Sequence, residues 1–180
     1  MLRPLAALIA VLAASVPAAA MVGGAEPASA ESGMAHAVLI VGSRGNFCTG
    51  TAVARDLVLT AAHCVLPGAD YKLVEFEAAR QPRLRDVAAV VRHPQFSLPA
   101  LLAHRATADV ALVKLAEPLP QGFEPARLSD GEAPREPGAR FVVAGFGVAV
   151  RGDGRSGGTL RAAALVATGR PGGLQLRLVD

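Results

Sequence analysis

Short apolar runs bounded by turn residues recur along the chain, and they are its clearest signal of structure. Runs of this length, closed off by glycine, asparagine or charged residues, are typical of buried β-strands. The Gly45-Asn46 dipeptide between the first two runs marks a hairpin turn. On this pattern we predict strands at residues 37–41, 47–53, 57–59, 73–76, 87–91, 110–115, 159–166 and 174–179.

The N-terminus has a different pattern. Arg3 is followed by an apolar run from Leu5 to Val16 and by three alanines at positions 18–20. A positive start, an apolar run too short to span a bilayer and small residues at its end are typical of a secretory signal peptide. We therefore predict a signal peptide over residues 1–20 and a mature N-terminus at Met21. The alternative for the same run is an N-terminal membrane anchor.

This prediction makes the mature protein secreted or periplasmic, with no membrane association after signal cleavage. Such compartments are oxidising, so the two cysteines of the chain are expected to pair. The net charge is +3, and the basic residues are scattered along the sequence. That distribution does not form the basic patch of a nucleic-acid-binding protein, and no nucleic-acid partner is expected.

Residues 117–140 contain five prolines and three glycines, which predicts an ordered linker between two lobes. Strand-like apolar runs occur on both sides of this linker.

Two segments before the linker carry candidate chemistry. The first is Thr60-Ala61-Ala62-His63-Cys64, directly after the run Leu57-Val58-Leu59. A histidine just past the end of a buried strand is held by a rigid scaffold and can still face a cleft. The second is Asp109, a lone aspartate at the start of the run Val110 to Leu115.

Together with Cys48-Thr49-Gly50-Thr51 upstream, these segments resemble the trypsin-like (chymotrypsin-fold) serine proteases. In that family Thr-Ala-Ala-His-Cys carries the catalytic histidine, and Asp-(Ile/Val)-Ala-Leu carries the catalytic aspartate. The resemblance implies an all-β fold of two antiparallel β-barrels. The first barrel would span residues 21–116. A truncated second barrel would span residues 141–180, and it would open with residues 141–147, which are similar to the family's Val-x-Gly-Trp-Gly strand.

The resemblance also assigns roles. His63 would be the general base and then the general acid, and Asp109 would orient it. Cys48 and Cys64 would form a disulfide beside the histidine. The α-amino group of Met21, freed by signal cleavage, would be buried beside a carboxylate.

The nucleophile of this reaction is a serine in Gly-Asp-Ser-Gly-Gly-Pro, a sequence that the 180 residues do not contain. Ser156, in Gly154-Arg155-Ser156-Gly157-Gly158, is a weak substitute, since a flexible loop explains this segment better. The same residues fit the Gly-x-Ser-x-Gly motif of α/β-hydrolases. That fold is excluded because its histidine must follow the serine, and the last histidine here is His104.

We therefore expect a secreted trypsin-like serine endopeptidase, present as a truncated chain, that hydrolyses protein or peptide substrates through an acyl-enzyme. Two alternatives remain: a catalytically inactive homologue that acts as a secreted binding protein, and an active chain that uses Ser156. No cofactor is expected. No metal site is expected either, because the chain has two cysteines and neither Cys-x-x-Cys nor His-Glu-x-x-His.

Overall fold

The computed structural model describes residues 25–28, 34–76, 81–131, 136–172 and 175–179, which form a closed barrel and a second, open sheet. The predicted signal peptide and Met21 lie outside the described residues. The strands are β1 (Glu26–Pro27), β2 (Ala37–Gly42), β3 (Phe47–Ala54), β4 (Leu57–Thr60), β5 (Tyr71–Phe76), β6 (Pro82–Arg92), β7 (Ala111–Leu115), β8 (Arg140–Gly145), β9 (Arg161–Gly172) and β10 (Gln175–Val179). One short helix, α1 (Leu98–Leu102), precedes β7.

The barrel has the strand order β2-β3-β4-β7-β6-β5, with β5 pairing back onto β2. All of its strand pairs are antiparallel. Closure leaves the barrel without a free sheet edge, the feature through which open sheets associate.

The barrel interior is filled by apolar side chains from alternate positions of its strands. In β7, Ala111, Val113 and Leu115 are buried, while Leu112 and Lys114 face outward. This alternation follows from the two-residue period of a strand. The largest fully buried side chains of the barrel strands are Val38, Ile40, Val58, Leu73 and Val113.

The second sheet is organised around the long strand β9. Strand β8 pairs with one edge of β9, and β1 and β10 pair with the other edge. Strand β1 precedes the whole barrel in the chain, yet Glu26 pairs with Ala162.

The first part of the segment between the two sheets, residues 116–126, lies along the first barrel. Leu119 is buried and its backbone N–H donates to Arg55 O, while Ala126 N–H donates to Ala52 O at 2.8 Å. The second sheet is held to the barrel by Phe146, whose N–H donates to Thr49 Oγ1 at 2.9 Å.

The predicted all-β, two-lobed architecture with a complete first barrel is confirmed, with part of a second barrel present. Several local features were not predicted, among them the start of β6 at Pro82, five residues before the predicted strand. Helix α1 was not predicted, and Ser97 caps it by accepting a hydrogen bond from Ala100 N–H. Strand β1 was not predicted, and β9 continues six residues beyond the predicted end at residue 166, to Gly172. No helix among the described residues is long and apolar enough to cross a bilayer.

Candidate active site

The position of His63 is set by the pairing of β4 with β7. Thr60, the last residue of β4, pairs with Ala111, the first residue of β7. His63 follows Thr60 by three residues and Asp109 precedes Ala111 by two. Because the strands are antiparallel, the chain leaving β4 and the chain entering β7 meet at one end of the barrel, and this brings the two side chains together.

His63 lies in a single 3₁₀ turn, Ala62–Val65. The residue before this turn is Ala61, whose side chain cannot cap it, and the backbone N–H of His63 donates instead to Asp109 Oδ1 at 2.9 Å. The other carboxylate oxygen, Oδ2, lies 2.6 Å from His63 Nδ1. Asp109 therefore holds both the backbone and the ring of the histidine.

This contact determines where the imidazole proton resides. A carboxylate only accepts hydrogen bonds, so Nδ1 carries the proton and Nε2 of the neutral ring presents a lone pair. The side chain of His63 is 47% exposed and that of Asp109 is 22% exposed. The arrangement is thus a base on a half-exposed ring and a partly buried carboxylate that would stabilise the protonated ring.

The disulfide lies directly beside this pair. Cys48 in β3 is bonded to Cys64 in the 3₁₀ turn, with a Cα–Cα distance of 6.0 Å, which is the pairing that the resemblance implied. Cys64 Sγ lies 3.6 Å from His63 Nε2. The sulfur atoms and the ring nitrogen form a compact group, but bonded sulfurs are not thiolates, the form in which cysteine ligates metals.

Three side chains from the barrel hold successive carbonyl groups at the end of the His63 turn. Asn46 Nδ2 donates to Cys64 O at 3.1 Å, Arg92 Nη1 donates to Val65 O at 2.8 Å, and Tyr71 OH donates to Leu66 O at 2.7 Å. We call this set the carbonyl clamp. These three residues could not be predicted from the sequence, because no motif links them and only barrel closure brings them to the turn.

Ser156 belongs to a different hydrogen-bond network from His63 and Asp109. It ends the 3₁₀ turn Gly154–Ser156, in the loop between β8 and β9. Its Oγ accepts the backbone N–H groups of Ala149 and Val150 and donates to Asp153 O at 2.7 Å. Among the described residues no hydrogen bond joins it to His63. The hydroxyl therefore organises its own loop.

A groove opens beside Asp109. It is a cavity of about 410 Å³ between the segment that precedes β7 and the start of β10. Its lining includes His93, Leu101, Arg105, Asp109 and Gln175, and His63 does not line it. Asp109 thus lines this groove, and its side chain is partly exposed.

Comparison with known proteins gives a consistent result. Residues 21–172 match the family model described as Trypsin. A trypsin of Phaedon cochleariae is 28% identical over 110 residues, a match that covers 57% of this chain and 41% of that trypsin. The fold is similar to that of mouse neuropsin, a serine protease expressed in the limbic system of the brain. In this case the TM-score is 0.65 at 17% identity, over 82% of this chain and 70% of that chain.

Proposed function

Since the chain belongs to the Trypsin family, we propose that it is part of a secreted serine endopeptidase in which His63 is the general base and Asp109 orients it. The observation that carries the proposal is the double contact between Asp109 and His63, through the ring Nδ1 at 2.6 Å and the backbone N–H at 2.9 Å. In the neutral ring this contact places the proton on Nδ1, so Nε2 is the nitrogen that can accept a proton.

In the proposed reaction, Nε2 of His63 takes the proton of a serine hydroxyl as that oxygen attacks the carbonyl carbon of a peptide bond. The imidazolium is stabilised by Asp109 and then gives its proton to the leaving amine. The acyl-enzyme that remains is hydrolysed by a water molecule that His63 deprotonates in the same way. Neither step requires a metal or a cofactor.

The proposed reaction also needs a serine nucleophile, and the described residues do not present one beside His63. Ser156 is engaged within its own loop, and the 180 residues contain no Gly-Asp-Ser-Gly-Gly. The chain spans 41% of the length of the Phaedon cochleariae trypsin and 70% of the neuropsin chain. The proposed activity therefore belongs to a protein that adds a serine from outside these residues.

The test uses the protein as its own cells release it. A fluorophosphonate probe labels an activated serine, and mass analysis of the labelled peptide identifies that serine. We expect one labelled site, in a Gly-Asp-Ser-Gly-Gly peptide, and loss of labelling in His63→Ala. Labelling of Ser156 would move the nucleophile into this chain. An absence of labelling in a folded protein whose sequenced C-terminus is Asp180 would contradict the proposal.

That last outcome would favour the second candidate, a secreted homologue that binds a partner without cleaving it. The observation in its favour is the engaged hydroxyl of Ser156, which leaves His63 without a serine partner among the described residues. A stable monomer that captures a protein from the secreted fraction and releases it uncut would support this candidate.

Secretion itself is proposed from residues 1–20. N-terminal sequencing of the released protein is expected to begin at Met21. A first residue well before or after this position would contradict both the signal cleavage and its proposed role in freeing the Met21 amino group.

A further inference from the structure

The alignment of His63 with Asp109 requires that two separate pieces of chain keep a fixed separation. One piece is the 3₁₀ turn Ala62–Val65, and the other is the segment that leads into β7. On one side they are joined by the backbone pairing of Thr60 with Ala111. The disulfide and the contacts of Asp109 with His63 also restrain the turn, and a second join away from β4 adds to how well the pair is aligned.

Arg92, the last residue of β6, provides that second join. Its backbone pairs with Ala111, two residues after Asp109, and the next residue, His93, donates its N–H to Val110 O at 2.8 Å. Its side chain extends to the other piece, where Nη1 donates to Val65 O at 2.8 Å, two residues after His63. One residue therefore contacts both pieces of chain that carry the pair.

The two other members of the carbonyl clamp do not have this property. Asn46 lies in the turn between β2 and β3, and Tyr71 begins β5, a strand that pairs with β2 and β6. Both hold the His63 turn from strands that do not pair with β7. Their contacts fix the turn to the barrel, whereas Arg92 fixes it to the aspartate segment.

Loss of the hydrogen bond between Arg92 and Val65 O is expected to change the structure of the turn. Val65 is fully buried, and its carbonyl at the end of the turn receives the Arg92 hydrogen bond. A hydrogen bond from a guanidinium is charge-assisted and stronger than one from a neutral donor. If Arg92 is truncated, this carbonyl must find another donor, and the turn is expected to move to meet it.

We propose that Arg92 is a positioning residue for the His63–Asp109 pair. Its catalytic meaning rests on the proposed function, but its effect on the geometry does not. The readout is therefore the proton between Nδ1 and Asp109, which in a short imidazole–carboxylate hydrogen bond gives a separate low-field proton resonance and exchanges slowly with solvent. This signal exists whether or not a nucleophile is present.

The experiment compares three variants of the full-length protein with the parent, all labelled with ¹⁵N-histidine. In Arg92→Met we expect the His63 Nδ1–H signal to shift upfield and to exchange with solvent at least about tenfold faster, as for a hydrogen bond weakened by misalignment. Arg92→Lys, which keeps one charged donor, should restore most of the signal. If the protein is an active protease, kcat should fall in Arg92→Met with little change in KM.

Arg55→Met is the matched control. Arg55 also donates from a guanidinium to a backbone carbonyl, that of Leu119, in the segment that follows β7. Its loss should lower thermal stability and leave the His63 signal in place. An unchanged His63 signal in folded Arg92→Met would overturn the proposal. If Arg92→Met does not fold, Arg92→Gln is measured by the same criterion. Failure of both to fold would also overturn it, since Arg92 would then be needed for folding and not for alignment.

Discussion

Asp109 contacts His63 twice, with one carboxylate oxygen on the ring Nδ1 and the other on the backbone N–H of the same residue. The carboxylate therefore fixes the backbone position of His63 as well as the position of the ring proton. A side chain that kept the contact with the backbone N–H but lost the contact with Nδ1 would leave the histidine in place with its ring proton on the wrong nitrogen.

Asp109→Asn tests this separation. An asparagine oxygen can still accept the backbone N–H, but its amide N–H₂ would face Nδ1 and favour the tautomer protonated at Nε2. We expect the fold to persist and kcat/KM of the full-length protein to fall by about 10²–10⁴-fold, the usual contribution of general-base catalysis, because the base His63 would carry its proton on the wrong nitrogen. ¹⁵N NMR of the histidine should show the proton moved to Nε2. A proton that stays on Nδ1 would contradict this account of the geometry.

The disulfide is expected to contribute to both stability and the site. Replacing Cys48 and Cys64 together by alanine opens a loop with a sequence separation of 16. For such a loop the chain-entropy model gives a loss of about 3 kcal/mol in the free energy of unfolding. Urea denaturation measures it. A loss below about 0.5 kcal/mol would show that the clamp and the barrel hold the turn without the bond, and free thiols in the secreted parent would show that no bond forms.

Gly50→Ala tests the packing of the barrel interior. A Cβ at Gly50 would lie 2.5 Å from Val58 Cγ1 and 3.0 Å from Ile40 Cδ1, and both neighbours are fully buried. Overpacking of this kind typically costs about 1–3 kcal/mol. Gly122→Ala is the control, because a Cβ there meets nothing within 4 Å. Thermal unfolding of the two variants should differ, and equal midpoints would contradict the packing described.

Thr49→Val tests the junction between the barrel and the second sheet. Valine keeps the shape of threonine but removes the Oγ1 that accepts Phe146 N–H. Leaving that donor without its partner is expected to cost about 1–3 kcal/mol. The loss should appear locally, as faster hydrogen exchange of the Phe146 amide. Thr51→Val, the same substitution two residues along β3, should leave that amide unchanged.

Ser156→Ala distinguishes the loop role from the catalytic one. Because the hydroxyl accepts two backbone N–H groups and donates to Asp153 O, its removal should disturb the loop and leave His63 unaffected. We expect peptidase activity of the full-length protein to stay within about twofold of the parent, given that surface changes away from a site are usually small. A loss of activity in a folded Ser156→Ala protein would assign the nucleophile to this residue.

The sequence predicted the parts of the fold that depend on local pattern. The apolar runs at β2, β3, β4 and β7 are short and bounded by turn residues, so their strands could be identified from the residues alone. Strand β1 could not, because Glu26 and Pro27 have no strand pattern and extend only because β9 is present. The Gly169 to Gly172 segment contains a proline and reads as a break in the sequence, yet it belongs to β9.

The candidate site also contains residues that the sequence predicts and residues that only the fold brings together. His63 and Asp109 each lie next to a strand in a short motif, so their positions were accessible from the sequence. Asn46, Tyr71 and Arg92 lie in three different parts of the barrel and meet only at the His63 turn. No spacing rule connects them, since their contacts depend on which strands close the barrel.

The pairing of Glu26 with Ala162 has a consequence for the order in which the chain assembles. All six barrel strands lie between residues 37 and 115, so they leave the ribosome before any residue of β9. The barrel strands can thus pair before β9 is available, since N-terminal units generally fold first. Residues 26 and 27 must wait until position 162 has been synthesised. Strand β1, the first strand of the described residues, is therefore among the last to find its partner.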